Sequence, residues 1–230
     1  VELTHVSKAF RDTLAVDDLS LGVPRGSIYG FIGPNGSGKT TTLRMILHIF
    51  RPDRGNIRVF GSELRSAVSG RIGYLPEERG LYKRMRVRPM LRFYGELKSG
   101  RSVEVEVEDW LRRLDLIEHA DKKIEALSKG SAQRVQFIAA VIASPDLVIL
   151  DEPFSGLDPV HADILGSAIL DLRRQGTTVI LSTHDMELAE QMCDFVFMIF
   201  RGRKVLDGTL AGIKSLYGTD TVRVRTPIDA

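Results

Sequence analysis

The amino-acid sequence predicts an α/β fold: a mixed sheet core with an antiparallel β part and an inserted helical subdomain. Residues 2–23 read mainly as β-strands. Residues 87–127 carry apolar side chains at helical spacing, with no strong strand candidate among them. From residue 132 onward, helical segments alternate with short apolar strands, which is typical of a parallel sheet.

In the N-terminal part, the strand candidates are short apolar segments: residues 2–6, 14–23, 27–32, 56–60 and 72–75. Polar Asp17 and Asp18 interrupt the second segment. Residues 41–47 read as a helix that opens soon after the third strand. The first part of the chain is therefore rich in β-structure.

The middle of the chain is predicted to be helical. Apolar side chains recur there in two groups with helical spacing, Met90, Leu91, Phe93, Tyr94 and Leu97, then Val107, Trp110, Leu111 and Leu114. A compact helical insertion between two α/β halves is the simplest account of this change in pattern.

The C-terminal part returns to alternation. Helices are predicted at residues 132–143 and 160–174, the second with Pro159 at its start. Strands are predicted at residues 147–150, 178–181 and 195–200, with a possible edge strand at 203–206. Because residues 147–150 are all apolar, we expect that strand in the centre of a parallel sheet.

Composition restricts the class of protein. The 230 residues are 43% apolar, and the net charge of +2 gives no broad field that would attract nucleic acid. Cys193 is the only cysteine, so an internal disulfide is impossible, and we expect this residue to be buried. The longest apolar runs are too short to span a membrane, and no signal peptide is evident. We therefore expect a soluble, cytosolic protein that meets a membrane only through a partner.

Residues 33–40 read Gly-Pro-Asn-Gly-Ser-Gly-Lys-Thr and match the P-loop pattern, between a predicted strand and a predicted helix. Glycines let such a loop point its backbone N–H groups at phosphate oxygens, and the helix adds its positive dipole end. Lys39 can reach the β- and γ-phosphates, and the Thr40 hydroxyl can bind Mg²⁺. The predicted nucleotide contacts here are Gly33, Pro34, Asn35, Gly36, Ser37, Gly38, Lys39, Thr40 and Thr41.

A second motif supplies carboxylates. The apolar residues 147–150 end in Asp151 and Glu152, as in a Walker B motif. Asp151 can bind Mg²⁺ directly or through water, and Glu152 can act as the general base on an attacking water. A strand followed by an ordinary charged turn is the alternative. The P-loop favours the catalytic interpretation, because the metal that accompanies the nucleotide needs such a carboxylate.

Together these residues resemble the ATP-binding subunit of ABC transporters, and the resemblance covers nearly the whole chain. The matching motifs occur in the family's order: Phe10 (adenine stacking), residues 33–40 (Walker A), 127–133 (signature), 151–152 (Walker B), 155–158 (D-loop) and 182–184 (switch histidine). The resemblance implies a P-loop NTPase of ABC type that binds ATP with Mg²⁺.

The family roles carry over residue by residue. Phe10 would stack on adenine, although an apolar core residue is an equally good interpretation. His184 would contact the γ-phosphate and act with Glu152 as a catalytic residue, although a lone histidine there is more often structural. Ser128 and Gly130 would contact the γ-phosphate of ATP bound to another subunit, and Asp158 is also assigned to the nucleotide site. The resemblance thus implies a head-to-tail dimer around two ATP molecules.

Two departures from the family pattern stand out. The usual signature is Leu-Ser-Gly-Gly-Gln, whereas this chain has Lys129 and Ser131 at the third and fifth positions. We expect ATP sandwiching to survive, with Lys129 adding positive charge. Where the family usually has glutamine, this chain has Glu77, which can bind Mg²⁺; the predicted metal ligands are Thr40, Asp151 and Glu77.

We expect one ABC ATPase domain over residues 1–230. Residues 1–86 and 128–208 would form the nucleotide-binding core, and residues 87–127 the helical subdomain, with the signature motif at its end. Residues 209–230 would begin a truncated C-terminal extension, for which an edge or frayed tail is an equal alternative; residues 221–226 alternate like a strand. The first residue, Val1, is consistent with a missing start.

The predicted function is ATP hydrolysis that powers a membrane transporter. Residues 74–82 resemble the branch that exports sodium, drugs or antibiotics. Its partners would be a second ATPase subunit and a membrane permease, which would hold the chain at the inner face of the membrane. The permease would meet residues 77–94, where Tyr82, Met85 and Met90 are candidate contacts or, equally, core residues.

A soluble ABC-type ATPase acting on DNA or ribosomes is the alternative function. The DNA-acting class usually inserts a long coiled coil between the Walker motifs, and sustained heptads are absent there. The ribosomal class typically carries two such domains, whereas this sequence has one P-loop. We therefore expect no nucleic-acid partner.

Overall fold

The computed structural model describes residues 1–63, 70–78 and 80–217. Its strands are β1 (Glu2–Phe10), β2 (Thr13–Gly22), β3 (Ile28–Ile32), β4 (Arg54–Arg58), β5 (Ile72–Leu75), β6 (Leu147–Asp151), β7 (Thr178–Thr183), β8 (Phe195–Phe200) and β9 (Arg203–Thr209). Its helices are α1 (Lys39–Ile46), α2 (Val87–Ser99), α3 (Glu104–Arg113), α4 (Lys129–Val141), α5 (Pro159–Arg174), α6 (Met186–Met192) and α7 (Leu210–Tyr217).

The strands form two sheets. The smaller sheet has the order β2-β1-β4 and is antiparallel, with Glu2 opposite both Gly22 and Arg58. The larger sheet has the order β5-β6-β7-β3-β8-β9, and all of its pairs are parallel except β8 with β9. The predicted fold class is confirmed: an α/β fold with a mixed core, an antiparallel part and helices between its halves.

The parallel sheet gathers the ends of three central strands at one edge. Strand β3 lies between β7 and β8, and β7 lies between β6 and β3. Ile32 at the end of β3 is opposite Thr183, and Asp151 at the end of β6 is opposite Ser182. Ligands of open α/β sheets bind at such carboxyl ends. The three predicted motifs that follow these strands therefore meet on one side of the sheet.

The central strands are buried along their whole length, as their apolar sequences predict. The predicted helical region is also helical in the structure, where α2 and α3 pack beside α4. The rings of Trp110 and Phe137 meet edge-to-face with centroids 5.8 Å apart. This packing buries one helix of the nucleotide-binding core against the inserted helices.

The structure distinguishes the three candidate permease contacts by their burial. Met90 is completely buried in the hydrophobic core, so of the two interpretations left open for it, core packing is observed and a permease contact is not. Met85 is partly buried and packs against the same core. Tyr82 is 56% exposed and remains a candidate contact.

Several boundaries differ from the sequence prediction for local reasons. Helix α4 starts at Lys129, because the Ser128 hydroxyl caps it by accepting a hydrogen bond from the Ser131 N–H at 3.1 Å. Strand β4 starts at Arg54, where Gly55 has φ +79° and its Cα lies so close to β1 that a Cβ would be 2.2 Å from the His5 carbonyl oxygen. The predicted edge strand is confirmed as β9.

Two other sequence predictions have simple outcomes. Cys193 is buried, as expected, and burial raises the pKa of its thiol to about 12. The alternating residues 221–226 lie outside the described part of the chain.

Within the described ranges, no helix combines the length and the apolar character that crossing a bilayer requires.

Candidate nucleotide site

The loop between β3 and α1 owes its shape to glycines. Gly36 and Gly38 have φ of +77° and +109°, values that side-chain-bearing residues rarely adopt. At Gly33 a Cβ would lie 2.3 Å from the carbonyl oxygen of Ile199 on β8. The loop is also tied to the β8–β9 turn, since the Gly202 N–H donates to the Ser37 carbonyl at 2.8 Å. The P-loop sequence therefore adopts a compact, anchored loop.

Lys39, at the start of α1, is nearly buried, with 6% of its surface exposed. Its ammonium donates hydrogen bonds to the carbonyl oxygens of Gly33 at 2.5 Å and Pro34 at 3.3 Å. The same nitrogen lies 3.9 Å from Glu152 Oε1. The lysine of Walker A and the second acid of Walker B thus lie side by side.

A pocket of about 530 Å³ opens over this loop. The predicted site residues that line it are Pro34, Asn35, Gly36, Ser37, Gly38, Lys39, Thr40, Thr41, Glu77, Asp151 and Glu152. The structure therefore brings together the P-loop, the two acids at the end of β6 and Glu77. Gly33 lines the adjoining apolar groove together with His184.

Asp151, the last residue of β6, and Glu152, which follows it, share a partner, Ser182 near the end of β7. The Ser182 hydroxyl donates to Asp151 Oδ1, and the Glu152 N–H donates to the same hydroxyl oxygen at 3.0 Å. Asp151 is only 1% exposed, and its Oδ2 has no hydrogen-bond partner in the protein. A buried carboxylate oxygen without a donor is costly unless a cation binds it, so this position suits a Mg²⁺ ligand.

His184 contacts the predicted general base. Its Nδ1 lies 3.1 Å from both carboxylate oxygens of Glu152. The Glu152 side chain is 12% exposed, and the His184 side chain is 66% exposed. The structure thus places the two predicted catalytic residues in direct contact at the rim of the pocket.

Glu77 is exposed and lines the pocket. Its segment is held by a side chain of α4: the Gln136 amide donates to the Pro76 carbonyl at 3.2 Å and to the Glu78 carbonyl at 3.3 Å. The position of Glu77 over the pocket therefore depends on the helix that begins at the signature motif.

Besides Gly33, three predicted nucleotide contacts near α4 and α5 do not line this pocket: Ser128, Gly130 and Asp158. Gly130 packs against the D-loop, where a Cβ would be 3.3 Å from Leu157 Cδ2. Asp158 caps α5 by accepting from the His161 N–H at 3.1 Å. The His161 ring and then this N–H hold the pKa of the Asp158 carboxyl below its ordinary value. Within a single chain, these residues and the pocket are separate.

Phe10 also lies outside the pocket lining. It is 40% exposed, so it is not a buried core residue, and its ring meets that of Phe50 edge-to-face at 5.3 Å. The Lys8 ammonium lies 5.5 Å from the Phe10 ring centroid. Adenine stacking remains a prediction for this residue.

Some pocket residues were missed by the sequence reasoning: Thr13, Leu14, Ala15, Arg201 and Gly202. The first residues of β2 and the β8–β9 turn, which carry them, approach each other closely, since a Cβ on Gly202 would lie 2.9 Å from the Ala15 carbonyl oxygen. No local pattern in either segment identifies it as part of a phosphate site. Ser182 was noted only as a neighbour of His184, and its contact with Asp151 arises from strand pairing.

Comparison with known families agrees with this geometry. The family model described as ABC transporter matches residues 16–155. A second model, described as AAA domain, putative AbiEii toxin, type IV toxin–antitoxin system, matches residues 121–190. The first match covers more than half of the chain and includes both Walker motifs.

Individual proteins extend the similarity over the full length. An uncharacterised ABC transporter ATP-binding protein of Bacillus subtilis, YhaQ, is 42% identical over 99% of this chain and 77% of its own length. The Nod factor export ATP-binding protein I of Burkholderia lata is 35% identical over 99% of this chain and 77% of its own length.

A solved structure of an ATP-binding subunit of an ABC transporter is 30% identical and superimposes with a TM-score of 0.86, covering 94% of this chain and 92% of that one. Sequence and fold thus agree on the same kind of protein. The chain belongs to the ABC transporter family, as an ATP-binding and ATP-hydrolysing P-loop subunit.

Proposed function

We propose that this chain powers a membrane exporter through Mg²⁺-dependent ATP hydrolysis in a dimer of ATPase subunits. The observation that carries the proposal is the meeting of three motifs at one pocket: the P-loop lysine lies 3.9 Å from Glu152, which in turn contacts His184. This is the arrangement of a nucleophile-activating acid beside a phosphate-binding loop.

The residues around the pocket fit a magnesium ion. Asp151 Oδ2 is buried and has no partner in the protein, and Thr40 and Glu77 add a hydroxyl and a second carboxylate to the same lining. Thr40, Asp151 and Glu77 would hold the ion. When bound, Mg²⁺ supplies positive charge that offsets the negative charge of the phosphates.

The residues of the chain would have distinct roles in hydrolysis. Backbone N–H groups of the P-loop and the Lys39 ammonium bind the phosphates and stabilise charge on the transferred phosphoryl group. Glu152 accepts a proton from the attacking water, and His184 holds the Glu152 carboxylate in position while facing the γ-phosphate. We expect loss of the γ-phosphate to change the contacts of His184. This histidine would therefore respond to hydrolysis.

A second subunit would complete each site. Ser128 and Lys129 are exposed at the N-terminus of α4, where backbone N–H groups and the helix dipole favour an anion. Neither residue lines the pocket of its own chain. Ser128, Gly130 and Asp158 are therefore proposed to meet the nucleotide of the partner chain, with Lys129 adding charge beside its γ-phosphate.

A permease would bind an exposed apolar surface formed by Tyr82, Phe93 and Leu97, which we call the α2 surface. These side chains are 56%, 46% and 70% exposed, and the ring of Tyr94 contacts those of Tyr82 and Phe93. Exposed apolar patches of this kind mark interaction sites. The Gln136 contacts with Pro76 and Glu78 connect this region to α4 and thus to the nucleotide.

Export is the direction that we propose, and the printed description of one relative supports it. The Burkholderia relative at 35% identity is described as acting in Nod factor export. Residues 74–82 resemble the export branch that handles sodium, drugs or antibiotics. The subunit would then sit at the inner face of the cell membrane, attached through the permease.

The dimer mechanism can be tested by size-exclusion chromatography of Glu152→Gln with and without Mg-ATP. Because the amide cannot accept the proton from water, ATP remains intact, and we expect a shift from monomer to dimer that depends on ATP. Glu118→Gln, which changes an exposed glutamate outside the site, is the matched control and should hydrolyse ATP like the parent.

Two results would contradict the mechanism. If Glu152→Gln keeps most of its ATPase activity, Glu152 is not the general base. If the variant binds ATP and stays monomeric at all concentrations, the Lys129 and Ser131 signature does not close the site in trans.

The membrane contact can be tested separately with Leu97→Asp. A charge on the α2 surface should release the chain from the membrane fraction of cells that express it with its permease, while ATP binding is retained. Val105→Asp changes an equally exposed side chain on α3, 71% against 70%, and should stay in the membrane fraction. Equal retention of both variants would place the permease contact elsewhere.

A further inference from the structure

Ser182 is a buried polar residue of the segment 182–184, in which the family resemblance assigns a role to His184 alone. Its side chain is completely inaccessible and lies near the end of β7. In the parallel pair of β6 and β7, Ser182 is the direct partner of Asp151. The hydroxyl therefore sits beside the point where β6 ends and the two acids begin.

This hydroxyl makes two hydrogen bonds whose directions are fixed. The Glu152 N–H can only donate, so the hydroxyl oxygen accepts from it at 3.0 Å. The single hydroxyl proton is donated to Asp151 Oδ1. Asp151 Oδ1 is thus engaged by a protein donor, whereas Oδ2 is buried without one. The serine determines which carboxylate oxygen is left for another ligand.

The same hydroxyl supports an unfavourable backbone turn. Glu152 has φ +50°, a left-handed conformation that is uncommon for residues other than glycine. Its N–H faces both the hydroxyl and the carbonyl oxygen of Ser182, at 3.0 and 3.3 Å. The side chain of Glu152, the residue at this turn, contacts His184 and lies near Lys39. Ser182 therefore supports the backbone from which Glu152 reaches the pocket.

We infer that Ser182 is a positioning residue for both acids: its hydroxyl orients Asp151 so that Oδ2 serves as the Mg²⁺ ligand, and it holds the turn that presents Glu152. The inference rests on the proposed metal role of Asp151. Hydrogen bonds that orient a ligating carboxylate typically affect metal affinity about 10- to 100-fold.

The test is metal binding by Ser182→Ala in the presence of ADP, with Mn²⁺ as the probe and electron paramagnetic resonance as the readout. We expect the affinity of the protein–ADP complex for Mn²⁺ to fall by about tenfold or more. ADP affinity measured in EDTA should stay at the parent value, because the P-loop is unchanged. Ser182→Thr, which retains the hydroxyl, should restore most of the Mn²⁺ affinity.

The matched control is Ser27→Ala. Ser27 is also buried, and its hydroxyl donates to the Pro24 carbonyl at 2.8 Å, just before β3 and away from the pocket lining. The Ser27→Ala substitution removes a buried serine hydroxyl that does not contact Asp151 or Glu152, so Mn²⁺ affinity should not change. If Ser182→Ala does not fold, Ser182→Cys fills the space with a weak donor, and the same loss of Mn²⁺ affinity is expected.

The outcomes separate this inference from the proposed function. If Asp151→Asn loses Mn²⁺ affinity while Ser182→Ala and Ser182→Cys keep it, Ser182 does not position the metal ligand. If Asp151→Asn itself binds Mn²⁺ like the parent, the proposed metal site is wrong, and the inference about Ser182 is wrong as well.

Discussion

The imidazole of His184 and the carboxylate of Glu152 meet at 3.1 Å, with Nδ1 equidistant from both carboxylate oxygens. The two residues are distant in sequence and follow β7 and β6, which are neighbours in the sheet. His184 is largely exposed, whereas Glu152 is largely buried. A solvent-facing imidazole therefore restrains an acid that lies beside the P-loop lysine.

We expect His184→Ala to lower kcat for ATP hydrolysis by about a hundredfold, because small displacements of a catalytic group have effects of that size. Steady-state ATPase assays and ADP binding by calorimetry check this, and ADP affinity should change little. His119→Ala, a change of a half-buried histidine outside the site, is the control. An unchanged kcat for His184→Ala would make this histidine merely structural.

Phe10→Ala tests adenine stacking. Stacking of a base on an aromatic ring contributes about 1–3 kcal/mol, so the variant should bind ADP about tenfold more weakly or worse. Binding of inorganic tripolyphosphate, which lacks a base, should be unaffected, and Phe10→Trp should retain ADP affinity. Phe93→Ala, a change of another exposed phenylalanine, is the control. Equal losses for ADP and tripolyphosphate would contradict a base contact.

Gly33→Ala should destabilise the protein and prevent nucleotide binding. The added Cβ would lie 2.3 Å from the Ile199 carbonyl oxygen and 2.8 Å from Ser37 Oγ, so the loop or β8 must shift. Overpacking of this kind costs about 1–3 kcal/mol, measurable by urea unfolding. At Gly80 the space for a Cβ is open, and Gly80→Ala should behave like the parent. Normal ADP affinity in Gly33→Ala would show that the loop tolerates the shift.

The cap of α5 should weaken in acid. His161 holds the pKa of Asp158 below its ordinary value of 3.8, so the charged carboxylate is favoured in the folded state. The contribution of the charged Asp158 to folding stability is fully present above pH 3.8, the ordinary pKa. It is lost as the pH falls through the lower pKa of Asp158 in the folded state. Asn still caps a helix but does not titrate, so the stability difference between the parent and Asp158→Asn should shrink in this range.

Thermal unfolding of the two proteins between neutral pH and pH 3 measures this difference. Asp163→Asn, on the same helix, is the control for loss of a carboxylate. Parallel pH profiles for the parent and Asp158→Asn would show that the cap does not depend on the charge of Asp158.

The sequence alone was sufficient to predict the fold class and the phosphate-binding motif. Backbone constraints at Gly36 and Gly38 are properties of the residues themselves, and the apolar strands before the P-loop and before Asp151 are evident without any partner. Helical spacing likewise predicted α2 and α3. These features depend on neighbours in sequence, which is why local patterns determine them.

The tertiary structure decided the contacts between segments that are far apart in the chain. Strand register places the Ser182 hydroxyl against Asp151, and the packing of the start of β2 against the β8–β9 turn brings Ala15 and Gly202 to the pocket. It also decided that Met90, which helical spacing alone could place on either face, lies in the core. Such contacts depend on the three-dimensional arrangement of whole elements, because the sequence around a residue does not indicate which distant group that residue will contact.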